Sequence, residues 1–320
     1  MKARIVEPKG ELLDIWTELS ESALHACFWS TPAWVNALSS AYGWKPVLFY
    51  AEHKGSPVVV PSVRTRRVAV FGSYISFPLG YGSVLTEAEL DRALLDGLVD
   101  AISRLPITSL TLNLPPDHPA PTASPKYVRL IEKTTHILML DMSADEVASV
   151  FTPRCRWRVR RAERAGLVCR VLEPADGMEI VYKLYTGWAH MKRLERPYPG
   201  ALFDAMRALP AGSVRLFVAE LSGEPVAALV NFVHRGDVYN FLTADLRTKE
   251  ASGAVNLLHF CAIRDAIRSG AKRYIFGESM GIESLARFKE SFGAKRTPVQ
   301  SVIVEGRKYE RVKRFAGSHL

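Results

Sequence analysis

The chain has 320 residues, 48% of them hydrophobic and 23% charged; this excludes a disordered, collagen-like or low-complexity fibrous protein, and the length suits two domains. With 42 Lys plus Arg against 33 Asp plus Glu the net charge is +9, so the molecule attracts anions, whether phosphates, nucleic acid or an acidic membrane surface. The four cysteines (Cys27, Cys155, Cys169, Cys261) form no C-x-x-C pair and no Cys/His cluster with metal-ligand spacing, which points to reduced thiols in a cytoplasmic protein and to no metal.

At the start, Met1-Lys-Ala-Arg-Ile-Val-Glu-Pro8 puts charge where a signal peptide needs an apolar run. The clean apolar stretches, such as Val226 to Val233, are strand-sized and far short of the roughly 20 residues that cross a bilayer. Contact with a membrane is therefore expected to be peripheral.

A weak duplication organises the chain. Leu48-Phe-Tyr-Ala-Glu-His-Lys-Gly-Ser-Pro-Val58 aligns with Leu216-Phe-Val-Ala-Glu-Leu-Ser-Gly-Glu-Pro-Val226, identical at seven of eleven positions with an offset of 168. Each copy reads as two antiparallel strands around a glycine turn. In both halves a further strand, a helix (about 87–104 and 254–269) and another strand (Ile107–Leu114 and Lys272–Gly277) follow in the same order. Five prolines between Pro115 and Lys126 make an irregular loop. The alternation from Thr135 to Met142 predicts the strand that closes the first half. Ser143-Ala-Asp-Glu146 is a capping box that opens a helix, so the domains are expected at 1–142 and 143–320.

In the second half, Val255, Leu258, Ala262, Ile263 and Ala266 recur at helical spacing opposite Arg264, Asp265 and Arg268, which predicts a helix packed on a sheet and stopped at Gly270. The pattern is α+β, with two tandem mixed sheets, mostly antiparallel and flanked by helices. Neither G-x-G-x-x-G nor G-x-x-x-x-G-K-[ST] occurs, so a doubly wound nucleotide fold is not expected.

Four segments carry chemistry. Between a strand at Val238–Thr243 and the long helix, Arg247, Lys249, Ser252, Gly253 and Ala254 join charge and small residues to a helix start, the arrangement that binds a pyrophosphate; equally, Ser252 is a plain helix cap. Thr152 to Gly166 is a three-turn helix with six arginines, a narrow apolar strip of Cys155, Val159 and Ala162, and Trp157 among the charge. Guanidinium groups and an indole suit RNA or a phosphorylated substrate, and a solvated basic face is the plain alternative.

Gly277-Glu-Ser-Met-Gly281 matches the G-x-S-x-G nucleophile elbow between a strand and a helix. A hydrolase of that type needs an acid and then a histidine later in the chain, yet the 41 residues after Ser279 contain no aspartate and only His319. The serine-hydrolase reading is set aside on that ground. Finally, Ser284 to Gly293 predicts a short helix in which Arg287 and Lys289 flank a Phe288/Phe292 pair. Such a lysine can hold phosphate or an oxyanion, or the pair can simply be core with Lys289 at the surface.

Arg287-Phe-Lys-Glu-Ser-Phe-Gly293 resembles the "RFK..FG" ending of FemAB-like proteins, which are tandem-GNAT transferases. Arg158-Val-Arg-Arg-Ala-Glu-Arg-Ala-Gly166 is similar to that family's "R..R.A...G" helix, Pro78-Leu-Gly-Tyr-Gly82 to its "P.GYG" turn, and Phe28-Trp-Ser-Thr-Pro-Ala-Trp34 to its N-terminal segment ending in tryptophan. The resemblance spans about residues 28–300. It implies two GNAT-like domains, the second better preserved, that move an acyl or aminoacyl group from acyl-CoA or aminoacyl-tRNA, as co-substrate rather than bound cofactor, to an amine of a small-molecule or lipid-linked envelope precursor such as that of peptidoglycan. Lys289 becomes the catalytic lysine, and Lys249 to Ala254 stands where the pyrophosphate loop belongs. Trp34, Tyr81, Arg158, Arg161 and Phe288 become substrate contacts. Glu278, at a strand end, is the candidate acceptor of the amine proton. The competing expectation is a non-catalytic basic module that binds RNA or anionic polysaccharide precursors.

Overall fold

A computed structural model describes residues 1–76, 79–82, 84–116, 118–122, 127–246, 248 and 251–317, with side chains described as far as residue 312. In chain order the elements are β1 (Ala3–Val6), α1 (Glu11–Ser22), α2 (Pro32–Tyr42), β2 (Lys45–His53), β3 (Ser56–Val68), β4 (Phe71–Ser76), α3 (Arg92–Ser103), β5 (Ile107–Leu114), β6 (Val128–Met139), α4 (Pro153–Arg164), β7 (Leu167–Leu172), α5 (Pro174–Met191), α6 (Gly200–Arg207), β8 (Val214–Leu221), β9 (Glu224–His234), β10 (Asp237–Asp245), α7 (Ala254–Arg268), β11 (Arg273–Glu278), α8 (Glu283–Glu290), β12 (Lys295–Glu305) and α9 (Arg307–Gly317). They form two compact units, one of residues 1–133 with 298–320 and the other of residues 134–297.

In the first unit β1, β2, β3 and β4 pair antiparallel in sequence, β4 pairs β5 in parallel, and β12 pairs β5 antiparallel. Helix α3 makes the crossover that a parallel pair requires; it begins at Arg92, later than the expected 87, because Asp91 caps it by accepting from the Leu94 N–H at 2.7 Å. Trp16, Leu19, Val35, Leu48, Val59 and Val63 fill one core of the unit.

The second unit repeats this plan. The hairpin β8/β9 corresponds to β2/β3, β7 pairs β8, β9 pairs β10, β10 pairs β11 in parallel across α7, and β6 pairs β11 antiparallel. Successive residues of a strand face opposite ways, and here Phe217 packs in the core under α4 and α7, whereas Leu216 lies against Gly177 of α5. Helices thus cover both faces of the sheet.

The expected boundary at 142/143 differs from this division in two places. The strand from Thr135 pairs with β11 of the second unit instead of closing the first, and the last strand, β12, completes the first unit beside β5. The physical reason is one of pairing: alternation marks a strand and its buried face but is silent about the neighbour it joins. The capping box forms as read, with the Glu146 N–H on Ser143 Oγ at 3.3 Å and the Ser143 N–H on Glu146 Oε2 at 3.1 Å, but it opens only a short 3-10 turn at Val147–Val150 before α4.

Candidate active site

The parallel strands β10 and β11 share a register only from Asp237–Arg273 to Tyr239–Ile275. Beyond that level each has a bulge on its other side, between Asn240 and Leu242 against β9 and between Ile275 and Gly277 against β6. A bulge bends its strand and sharpens its twist. While β11 stays with β6 as far as Glu278–Thr135, it leaves β10. Because the strands are parallel and α7 links them, the N-terminus of α7 stands at the end where they part, the position at which open α/β sheets take ligands.

Helix α7 starts there without a side-chain cap. Its N-cap is Gly253, in the left-handed region at φ +99°, so Ser252, expected as the cap, is exposed and bonds no helix amide. Thr248 Oγ1 instead accepts from the Ala251 N–H at 3.1 Å, one turn earlier. The Ala254 N–H is taken by the Ala251 carbonyl at 3.0 Å, and the amides that follow it in the first turn, with the positive end of the helix dipole, are left for an anion. Gly253 and Ala254 are placed there as expected; Arg247 and Lys249 lie outside the described residues. A Cβ at Gly253 would lie 2.8 Å from the Arg158 carbonyl oxygen and 3.2 Å from Ala162 Cβ, so α4 packs directly against this helix start.

Lys289 is the centre of the site. Helix α8 turns it inward, leaving it 6% exposed, where its ammonium donates to the carbonyl oxygens of Gly277 at 2.9 Å and Glu278 at 2.7 Å. It is therefore no surface residue. An ammonium has three donors, so one N–H remains for a substrate oxygen. Burial pulls its pKa down to about 8, against which the Glu278 carboxylate pushes back. Phe288 does pair with Phe292, at 5.2 Å between ring centroids, and both also pack on His259 of α7.

His259 is wholly enclosed, and burial, with the nearby Lys289 charge, lowers its pKa to about 3. With the Tyr274 hydroxyl donating to Asn231 Oδ1 at 3.3 Å, the neutral imidazole gives its Nδ1 proton to the Tyr274 oxygen at 3.2 Å. Asn240 Nδ2 donates to the same Asn231 oxygen at 3.1 Å. This buried polar chain fixes α7 to β11, β9 and β10 at the level where the strands part. A second enclosed histidine, His136 of β6, is 1% exposed with Nδ1 3.3 Å from Ser279 Oγ and Nε2 3.9 Å from Glu290 Oε1. Sequence reading missed both. His259 sits on the apolar stripe of its helix, and His136 stands alone in an alternating strand more than a hundred residues from its partner.

The arginine helix keeps its expected strip: Cys155, Val159 and Ala162 are buried, and Asn256 Nδ2 reaches Cys155 Sγ at 3.6 Å. Arg158 is half-buried on the side toward α7, while Arg161 is exposed and stacks over Trp157 at 5.3 Å. Pro153, Arg156, Trp157, Arg160, Arg161 and Arg164 line an open recess of about 440 Å³ on the outer face. Arg156 is anchored to the Phe151 carbonyl at 2.6 Å. Trp34 and Tyr81 belong to the first unit. Trp34 is fully buried against Phe28 and Trp29, at 5.6 and 5.2 Å between rings, which is a packing position. Tyr81 is 6% exposed, and its carbonyl accepts from Cys27 Sγ at 3.0 Å. Among the described residues no helix is long and apolar enough to cross a membrane, and no group of three His, Cys, Asp or Glu is placed to hold a metal ion.

Residues 152–290, which contain all of this second-unit site except His136, match the family described as an acetyltransferase (GNAT) domain. The chain is similar over 94% of its length to 97% of FemX, with a TM-score of 0.67 at 12% identity. It also resembles L-PGS from Bacillus licheniformis (TM-score 0.55, 13% identity, 94% of this chain and 93% of that one) and a tandem GNAT protein from the clavulanic acid biosynthesis pathway (0.52, 13%, 95% and 98%). No curated protein matches the sequence. The chain has the tandem GNAT fold, and the acetyltransferase (GNAT) match at residues 152–290 marks its second unit as an enzyme domain.

Proposed function

We propose that the second unit moves an acyl or aminoacyl group from acyl-CoA or aminoacyl-tRNA to an amine of a cell-envelope precursor. The observation that carries this reading is Lys289, buried and held by the Gly277 and Glu278 carbonyls at the end where β10 and β11 part. Attack of an amine on a thioester or ester builds negative charge on the carbonyl oxygen. An ammonium with one donor to spare, in a site of low dielectric, stabilises that charge more than water does. Glu278, whose carboxylate acts on Lys289, is the proposed acceptor of the amine proton. The uncapped amides of α7 hold the donor's phosphates, and Phe288 and Arg158 bound the same region. Alignment of the two groups supplies much of the rate, since no covalent apparatus is needed for direct transfer.

The donor is decided by experiment. Radiolabelled acetyl-CoA and aminoacyl-tRNA are each offered with soluble and lipid-linked muropeptide precursors. Label appears on an amine with one donor class and is lost in Lys289→Met, whose fold is checked by its melting temperature. The outer face of α4 favours a second reading, a basic module that binds RNA or anionic polysaccharide precursors. Salt-dependent RNA binding without transfer from either donor would establish that reading instead.

A further inference from the structure

The end where β10 and β11 part is bordered by apolar side chains that face water. Leu246 follows the last residue of β10, and Met280 stands two residues beyond the last residue of β11, so the two flank the place where the strands separate. Leu246 is exposed and lies against Gly187 of α5, where an added Cβ would be 3.4 Å from its Cδ2. Met191 is four residues further along that helix, on the same face. Leu194 follows with its N–H on the Ala189 carbonyl at 3.1 Å, and both side chains are exposed. On the other side of the gap the Ile282 N–H closes a tight turn on the Ser279 carbonyl at 2.8 Å. That turn holds Met280 in the left-handed region at φ 50° and 84% exposed, with Ile282 53% exposed beside it. Such a backbone is strained for a methionine, and here it keeps an apolar side chain out in the solvent.

Basic residues interleave with this rim. Every residue from Met191 to Pro197 is exposed, and the stretch reads Met-Lys-Arg-Leu-Glu-Arg-Pro, three cations against one carboxylate. Arg193 is itself left-handed at φ 52°, which turns the chain sharply beyond α5. A protein interface keeps charge away from its apolar centre. A bilayer surface instead takes apolar side chains among its headgroups while long basic side chains reach the anionic phosphates. The net charge of +9 acts in the same direction. We propose that this end of the second unit docks on an anionic lipid bilayer: Met191, Leu194, Leu246, Met280 and Ile282 enter the headgroup layer, and Lys192, Arg193 and Arg196 pair with lipid phosphates. The carbonyls of Gly277 and Glu278 that hold Lys289 lie just before Met280 in the chain, so docking sets the mouth of the site against the membrane. The inference rests on the transferase reading for its purpose and narrows it, since the acceptor amine then belongs to a lipid-borne precursor met at the membrane surface.

Docking is measured without any transfer. The intact protein is sedimented with vesicles of equal parts phosphatidylglycerol and phosphatidylcholine, and with vesicles of phosphatidylcholine alone. It is expected to sediment with the first and far less with the second, and added salt should weaken the binding. Replacing Lys192, Arg193 and Arg196 together with glutamine should lower the partition coefficient about 100-fold, about fivefold for each basic residue. Replacing Met280 and Ile282 with serine should lower it about tenfold or more. Melting temperatures show that both variants fold. Because α4 is basic as well, the variant with Arg160, Arg161 and Arg164 replaced by alanine is the control and should keep most of its binding. Vesicle binding that is absent, survives both rim variants, or is lost only in the α4 variant would overturn the proposal. So would a dimer abolished by the Met280 and Ile282 replacements in a protein that ignores vesicles, since a second copy would then cover the rim. Acylation of soluble precursors by a protein that ignores vesicles would remove the docking surface and leave the transferase reading standing. Vesicle binding lost in both rim variants, with no transfer from either donor, would support the surface and count against the transferase reading.

Discussion

Gly253 and the carbonyl of Arg158 are in such close contact that a single added methyl group would lie 2.8 Å from the oxygen. Through this contact the arginine helix α4 and the start of α7 are fixed to each other, so the geometry of the anion-binding end depends on the absence of a side chain. The same residue has φ +99°, outside what an L-residue adopts without strain.

Gly253→Ala is therefore expected to lower stability by about 2 kcal/mol or more, combining left-handed strain with the displacement of α4. Urea unfolding measures the loss. Donor affinity should fall with it, because the amides of α7 are re-aimed. A stability change below about 0.5 kcal/mol would show that α4 yields freely and that the contact does not position the helix.

Lys289→Met removes the charge and leaves two carbonyl oxygens without their donor. Transfer is expected to drop by about 100- to 1000-fold, the effect of losing one oxyanion donor. The lysine also predicts a pH dependence. Its folded pKa of about 8 lies below the value of 10.5 it has when unfolded, so between those limits the unfolded chain binds more protons and stability rises with pH. The rise attributable to this one group is on the order of 3 kcal/mol and should be absent from the Met variant in denaturation curves collected from about pH 7 to 10. Wild-type transfer, which uses the protonated form, should decline above about pH 8.

What could be read from the residues was local. The two glycine hairpins, the strip Cys155, Val159 and Ala162, the capping box at Ser143 and the strand Ile107–Leu114 follow from turn chemistry, periodicity and caps, each decided within a few residues. The exchange of β6 and β12 depends on pairing between distant segments, which periodicity does not encode. Lys289 stood out from its segment as either an anion holder or a surface residue, and only its resemblance to a motif chose between the two. Its spacing beside Phe288 suited a surface lysine, and what buries it is a pair of backbone carbonyls on another element. His136 gave no signal at all, since its partner Ser279 is 143 residues away.

The outer face of α4 offers a separate test of the donor. Arg160, Arg161 and Arg164 are exposed, so replacing all three with alanine should leave the fold intact within about 0.5 kcal/mol per site. If aminoacyl-tRNA is the donor, its binding weakens and the slope of log K against log salt flattens by about 2 to 3, near one unit for each phosphate that an arginine had neutralised. Trp157→Ala should weaken binding without changing the slope, because stacking releases no counterion. Acetyl-CoA affinity should be indifferent to all four residues, which face away from the start of α7. An unchanged salt slope for tRNA in the triple variant would remove this face from the donor site.

His259 makes the second unit sensitive to acid in a direction opposite to that of a salt-bridged histidine. Its folded pKa of about 3 lies below the ordinary 6.5, so the neutral ring is accommodated fully above pH 6.5. As the pH falls toward 3 the unfolded state takes up a proton that the folded state refuses. The difference reaches several kcal/mol, at about 1.4 kcal/mol per pKa unit. His259→Phe keeps the aromatic packing with Phe276, Phe288 and Phe292 and leaves the Tyr274 hydroxyl its bond to Asn231. The variant is therefore expected to lose less stability than wild type between about pH 6.5 and 4, while buried His118 and His136, whose pKa values are also lowered by burial, maintain part of the acid dependence. Parallel pH profiles of the urea midpoint for the two proteins would show that His259 is not the acid-sensitive group.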